Sequence, residues 1–150
     1  MVDHIELPRG LCLRAFLICR DVRESGFYQN VRGIISSALP IAPGGGSLRL
    51  PFVGYILLDR NGDSSPHWLQ LFLLGPARNV IARTQVSQLP ANDIPTIEVV
   101  MKLDLLELPE SLPGDYRFVL QVDGRTVGVH PFRLYLDGLY EASPPRVIGN

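Results

Sequence analysis

One lysine (Lys102), one tryptophan (Trp68) and two cysteines (Cys12 and Cys19) are all the chain has of these residues, and each scarcity removes a class of function. Two cysteines without a Cys-x-x-Cys pair cannot build a thiolate metal centre. They stand seven apart in a segment that reads as one strand, and that odd spacing sets them on opposite faces, where a disulfide is geometrically unfavourable. Two thiols serving as small apolar side chains are expected. The three histidines, His4, His67 and His130, lack His-x-x-x-His spacing, so structural or surface roles are expected of them rather than ligation.

The cations are otherwise arginines, from Arg14 and Arg20 through Arg83 to Arg117 and Arg125, and they never form a run. With a net charge of −1 there is no basic stripe for nucleic acid. Long apolar runs are missing too. Gly33 to Leu48 is uncharged but broken by prolines and glycines, and Trp68 to Ala77 is too short to span a bilayer, so no membrane association is expected. The polar stretch Met1 to Gly10, with Pro8, does not read as a signal peptide, and a cytoplasmic protein is expected.

What the chain does have is alternation. From Ile97 to Leu105 the odd positions are Ile97, Val99, Met101, Leu103 and Leu105, and Glu98, Val100, Lys102 and Asp104 lie between them. That period of two predicts a strand with one buried face. Tyr116, Phe118, Leu120 and Val122 repeat the pattern, with Val119 the only apolar residue on the wet side. Further strands are expected over Leu11–Cys19, Val31–Ile35, Leu50–Asp59, Trp68–Leu74, Val80–Val86 and Thr126–Leu136. Val31–Ile35 is expected to pair with the first strand across a polar connection, and short helical turns fit Asp21–Tyr28 and Gln88–Asp93. Asn61-Gly62 and Asp123-Gly124 each predict a hairpin. Gly44-Gly45-Gly46 makes Pro40 to Ser47 a loop.

About eight mostly antiparallel strands at short spacing indicate an all-β sandwich. Tyr116, opening the penultimate strand after Leu112-Pro113-Gly114, stands where immunoglobulin-like sandwiches carry a tyrosine that bonds back to the upstream backbone. The expectation is therefore an immunoglobulin-like sandwich over residues 11–137, with an N-terminal tail at 1–10 and a loosely ordered tail at 138–150.

No arrangement of residues reads as an active site, and no cofactor is expected. Asp59, Asn61 and Asp63 alternate around Gly62 like part of a calcium loop, but no glutamate closes it, and a plain turn explains the composition. Ser36, Ser37, Ser64 and Ser65 lie in no Gly-x-Ser-x-Gly elbow. Gly44-Gly45-Gly46 lacks the lysine of a phosphate loop. Glu107, Glu110 and Asp115 cluster near a turn as solvated carboxylates do.

Three features together carry a resemblance: Phe16-Leu17-Ile18-Cys19-Arg20-Asp21, the turn Gly75-Pro76, and Leu-Pro-Gly-Asp-Tyr-Arg-Phe at 112–118 followed by Asp-Gly before Pro131-Phe132-Arg133-Leu134. From about Leu13 to Leu136 the chain resembles a set of small bacterial proteins grouped as a domain of unknown function. The resemblance implies a β-sandwich and no activity.

A non-enzymatic protein-interaction module is the leading functional expectation, with a partner protein or a homodimer covering an apolar sheet face. Leu69, Leu71 and Leu73 are its candidate interface, because Trp68, Phe72 and Leu74 make the other face of the same strand apolar as well. The alternative is a small-ligand binder for carbohydrate or lipid at the end loops, with Trp68, Phe27 and Tyr28 as candidate platforms.

Overall fold

The computed structural model describes residues 10–25, 28–32, 38–41, 48–49, 52–91, 93–103, 107–108 and 112–136. These form strands β1 (Cys12–Cys19), β2 (Asp21–Ser25), β3 (Tyr28–Arg32), β4 (Ala38–Ile41), β5 (Leu48–Arg49), β6 (Val53–Asp59) and β7 (His67–Leu74). They continue as β8 (Val80–Arg83), β9 (Ser87–Leu89), β10 (Thr96–Lys102), β11 (Glu107–Leu108), β12 (Gly114–Val122) and β13 (Arg125–Leu136). No α-helix occurs among the described residues, so none is long and apolar enough to cross a membrane.

Two sheets carry the fold. The smaller has the order β1-β6-β10; the larger has the order β4-β13-β12-β7-β8, with β9 also paired to β7. Every pairing is antiparallel except that of β13 with β4. Two small ribbons, β2–β3 and β5–β11, stand apart from these sheets. The inner faces meet directly. A Cβ added to Gly54 on β6 would lie 2.9 Å from Leu71 Cδ1 on β7, and one added to Gly128 on β13 would lie 2.9 Å from Phe16 on β1. The result is an all-β sandwich.

Cross-strand register explains the core. Leu69, Leu71 and Leu73 lie opposite Val122, Leu120 and Phe118, so one face of β7 and β12 is continuously apolar. All six side chains are fully buried, as are Ile18, Ile56 and Leu58 on the facing sheet. Tyr116 and Phe118 stack on Phe132 with ring centroids 5.6 and 5.2 Å apart. Leu69, Leu71 and Leu73 are therefore core and not an interface. The alternation along β7 identified two faces, but their composition could not say which faced inward, and the aliphatic face took the core.

Several local expectations change. Asp123-Gly124 does close the β12–β13 hairpin, with φ of 51° and 80°. Asn61-Gly62 adopts the same left-handed pair, φ 49° and 87°, yet β6 and β7 do not pair. β1 and β10 occupy both edges of β6, so the chain crosses to the other sheet instead. Where a helical turn was expected near Asp21–Tyr28, β2 and β3 form an antiparallel ribbon in which Val31 faces Val22, and β1 pairs with β6; residues 33–35 of the expected second strand lie outside the described residues. Pro40 and Ile41 belong to β4 rather than to a loop, running parallel to β13 as a sheet edge, where proline is tolerated. The expected strand over Val80–Val86 ends at Arg83, and β9 takes up Ser87–Leu89 where a helical turn was expected. The two tails, apart from Gly10, lie outside the described residues.

Candidate functional site

The outer face of the larger sheet follows from the same register. Opposite residues share a face, so Phe72 with Val119, Val119 with Val129, Leu74 with Val80 and Arg117, and Arg117 with Pro131 all lie outside. Trp68, Phe72 and Leu74 come from β7, Val80 from β8, Val119 from β12 and Val129 from β13. Val80 is 53% exposed, and Trp68 and Val129 47% each, while Val119 between Phe72 and Val129 is only 8% exposed. Val80, Leu74, Phe72, Val119 and Val129 form an apolar band across four strands with no described element over it, and Trp68 lies on the same face beyond Gln70 and Gln121. At its side Arg133 pairs with Asp115 at 2.8 Å, which holds the Asp115 carboxyl below its ordinary range, and Arg117 lies beside them. Val119 was the sequence signal for this surface, being the lone apolar residue on the wet side of an otherwise amphipathic strand.

A second constellation, not visible in the sequence, lies where β6 crosses to β7. His67 begins β7 and is 1% exposed. Its Nδ1 is 2.6 Å from Asp123 Oδ2 in the β12–β13 turn, and its Nε2 is 2.8 Å from Asp63 Oδ2. Ser65 Oγ is 3.4 Å from the same Nε2 but donates to Asp63 Oδ1 at 2.5 Å, and Ser65 N–H donates there at 2.9 Å. Beside it Arg60, 2% exposed, donates from Nη1 to the carbonyls of Asp63 and Ser65 at 3.2 and 2.7 Å and from Nη2 to Pro90 O at 2.6 Å.

Serine, histidine and aspartate in this order have the outline of a nucleophile with its base, but the proton connections do not match. A base must hold a free lone pair toward the hydroxyl, and the hydroxyl must donate to it. Here Asp63 takes both the Ser65 proton and the Nε2 position. Carboxylates stand at both ring nitrogens, an arrangement that ties two turns together rather than activating Ser65. The hydrogen bonds from Ser65 and His67 hold the Asp63 carboxyl well below its ordinary 3.8, at about 2. A carboxyl whose pKa is depressed by folding stabilises the fold above the unfolded value, and that contribution is lost as pH falls through the folded one. Stability is therefore expected to decline between about pH 4 and 2. The urea midpoint of Asp63→Asn is expected to be lower at pH 7 and to change less with pH over that interval; an unchanged acid profile would refute this role for Asp63.

The other sequence candidates do not converge. Asp59 pairs with Arg14 at 2.9 Å and accepts from Thr96 Oγ1 at 2.9 Å, while Asn61 Nδ2 donates to Gly10 O at 3.0 Å. Asp59, Asn61 and Asp63 thus point to three different partners, and no group among the described residues is arranged to hold a metal ion. Cys12 and Cys19 are free thiols, and burial, with Asp21 nearby, pushes the Cys19 thiol up. His130 is half-buried on β13, Nε2 has no partner, and burial lowers its pKa. His4, Phe27, Ser36, Ser37, Gly44-Gly45-Gly46 and Glu110 lie outside the described residues, and for Tyr28 and Glu107 only the backbone is described.

The chain matches no model of a known protein family, and no curated protein matches it.

Proposed function

We propose that this chain is a non-enzymatic protein-interaction module with an immunoglobulin-like sandwich topology, and that a partner protein covers the outer face of its larger sheet. The observation that carries the reading is the apolar band from Val80 through Phe72 and Val119 to Val129, left without cover among the described residues. A sandwich buries one face of each sheet, and an apolar second face is the usual mark of an interface. Three features support the immunoglobulin-like topology: β6 crosses between the sheets to β7, β4 runs parallel to β13, and Tyr116 Oη donates to Leu112 O at 2.6 Å.

Charge favours a foreign partner over a second copy. Arg117 and Arg133 stand beside the band, and Asp115 is the one carboxylate that pairs with either among the described residues, so a partner with an apolar centre and an acidic rim is complementary. The test places a photo-crosslinking residue at position 80, at 129, or at the exposed Arg20 beyond β1 of the other sheet, in the native host. One protein is expected to crosslink from 80 and 129 and not from 20, and its adduct is expected to disappear with Val119→Glu. Equal labelling from all three positions, or adducts only with this chain itself, would overturn the assignment.

A further inference from the structure

β10 is the outermost strand of the smaller sheet. β6 occupies one of its edges, and among the described residues no strand pairs with the other. The register shows which backbone groups face that open edge. In an antiparallel strand each residue sends its N–H and C=O to one side, and the side alternates from residue to residue. Leu103 N–H donates to Phe52 O at 3.0 Å, and Pro95 O accepts from Arg60 N–H at 2.7 Å. Odd-numbered residues therefore face β6, and the N–H and C=O groups of Val100 and Lys102 face outward.

That edge borders a cleft of about 380 Å³ between the two sheets. Val100, Met101 and Lys102 form one wall, and Arg83, Thr84 and Ser87, where β8 gives way to β9, form the other. Met101 is 5% exposed and Val100 48%, so the β10 wall is apolar within and open above. The charged residues lining the cleft are Arg83 and Lys102, one on each wall. Both are exposed, and no ion pair among the described residues engages either.

We propose that this cleft receives an extended acidic segment of a partner protein, which adds to β10 as a further strand and sets its carboxylates against Arg83 and Lys102. The outward-facing amides and carbonyls select a polypeptide, because only an extended backbone repeats donors and acceptors at strand spacing. The two cations, with no carboxylate in the lining, select an acidic one. This site borders the apolar band, since Arg83 lies opposite Phe72, but its open strand edge belongs to the smaller sheet and its test does not depend on the band.

The probe is a fluorescein-labelled eight-residue peptide alternating glutamate and valine, followed by anisotropy and by amide hydrogen exchange resolved per residue. Saturable binding that weakens with salt is expected, with affinity reduced about tenfold or more in the Arg83→Glu, Lys102→Glu double variant. Exchange is expected to slow at Val100 and Lys102, while Met101, whose N–H faces β6, stays unchanged. The same peptide N-methylated at alternate residues cannot pair with the edge and is expected not to bind, a control that leaves the protein unaltered. No saturation, equal binding of the N-methylated peptide, or equal binding of a lysine–valine peptide would each overturn the proposal. Failure here leaves the crosslinking test at positions 80 and 129 untouched.

Discussion

Leu71→Lys is expected to unfold the domain. Leu71 lies in the middle of β7, with β12 on one side and β8 on the other, and none of its surface is exposed. Its Cδ1 sits above Gly54 so closely that even a methyl group there would come within 2.9 Å. An ammonium at this point has no route to water, because a side chain can snorkel only when it begins near a boundary. The substitution forfeits about 1.5–3 kcal/mol of aliphatic burial. It also leaves an unpaired charge or a neutralised, unsatisfied amine in the core, a mechanism that gives losses above about 4 kcal/mol. Against a typical total of about 5–15 kcal/mol, little cooperative structure is expected to remain. Val129→Lys, on the outer face of the same sheet, is expected to keep the wild-type melting transition within a few degrees. Circular dichroism melts of the two variants distinguish the inward assignment of β7 from the outward one: a stable Leu71→Lys protein would contradict the core described above.

The contrast shows what the sequence could reveal. β10 and β12 were readable because each has one apolar face and one wet face, so a period of two fixes both the strand and its orientation. β7 has Leu69, Leu71 and Leu73 on one face and Trp68, Phe72 and Leu74 on the other, and alternation alone does not orient such a strand. Only its register with Phe118, Leu120 and Val122 does, and that register pairs residues about fifty positions apart. The two Xaa-Gly turns make the same point. Asn61-Gly62 and Asp123-Gly124 share a backbone conformation, but only the second joins paired strands, because the edges of β6 are already occupied by strands distant in sequence. Tyr116 was legible because its hydrogen bond is local, to a carbonyl four residues upstream. Arg60 had no sequence signature: it looks like any charged residue beside a turn, and its partners are two carbonyls of that turn and a third from Pro90, thirty residues on.

Arg60→Met is expected to be the most damaging substitution of a charged residue described here. The guanidinium is 2% exposed and has no carboxylate partner among the described residues; it is held by the carbonyls of Asp63, Ser65 and Pro90. A planar fork reaches three acceptors lying in different directions, which the single ammonium of a lysine cannot reproduce. Methionine fills a similar volume and removes the cost of burying a charge, which offsets part of the loss. It also leaves three carbonyls without donors, at about 1–3 kcal/mol for each one that water cannot reach. The net expectation is a loss of about 3 kcal/mol, or roughly 10 °C in melting temperature for a domain of this size. Arg60→Lys is expected to fall between wild type and Arg60→Met, and Arg83→Met, at an exposed position, within about 0.5 kcal/mol of wild type. Hydrogen exchange adds a local readout. Asp63 N–H donates to Arg60 O at 2.9 Å, and His67 ties this turn to Asp123, so amides of residues 61–67 are expected to exchange faster in Arg60→Met while the centres of β7 and β12 stay protected. Protection lost evenly across both sheets would mean that Arg60 supports the whole sandwich; no loss would mean that water replaces the guanidinium and the crossing is held by Asp63, His67 and Asp123 alone.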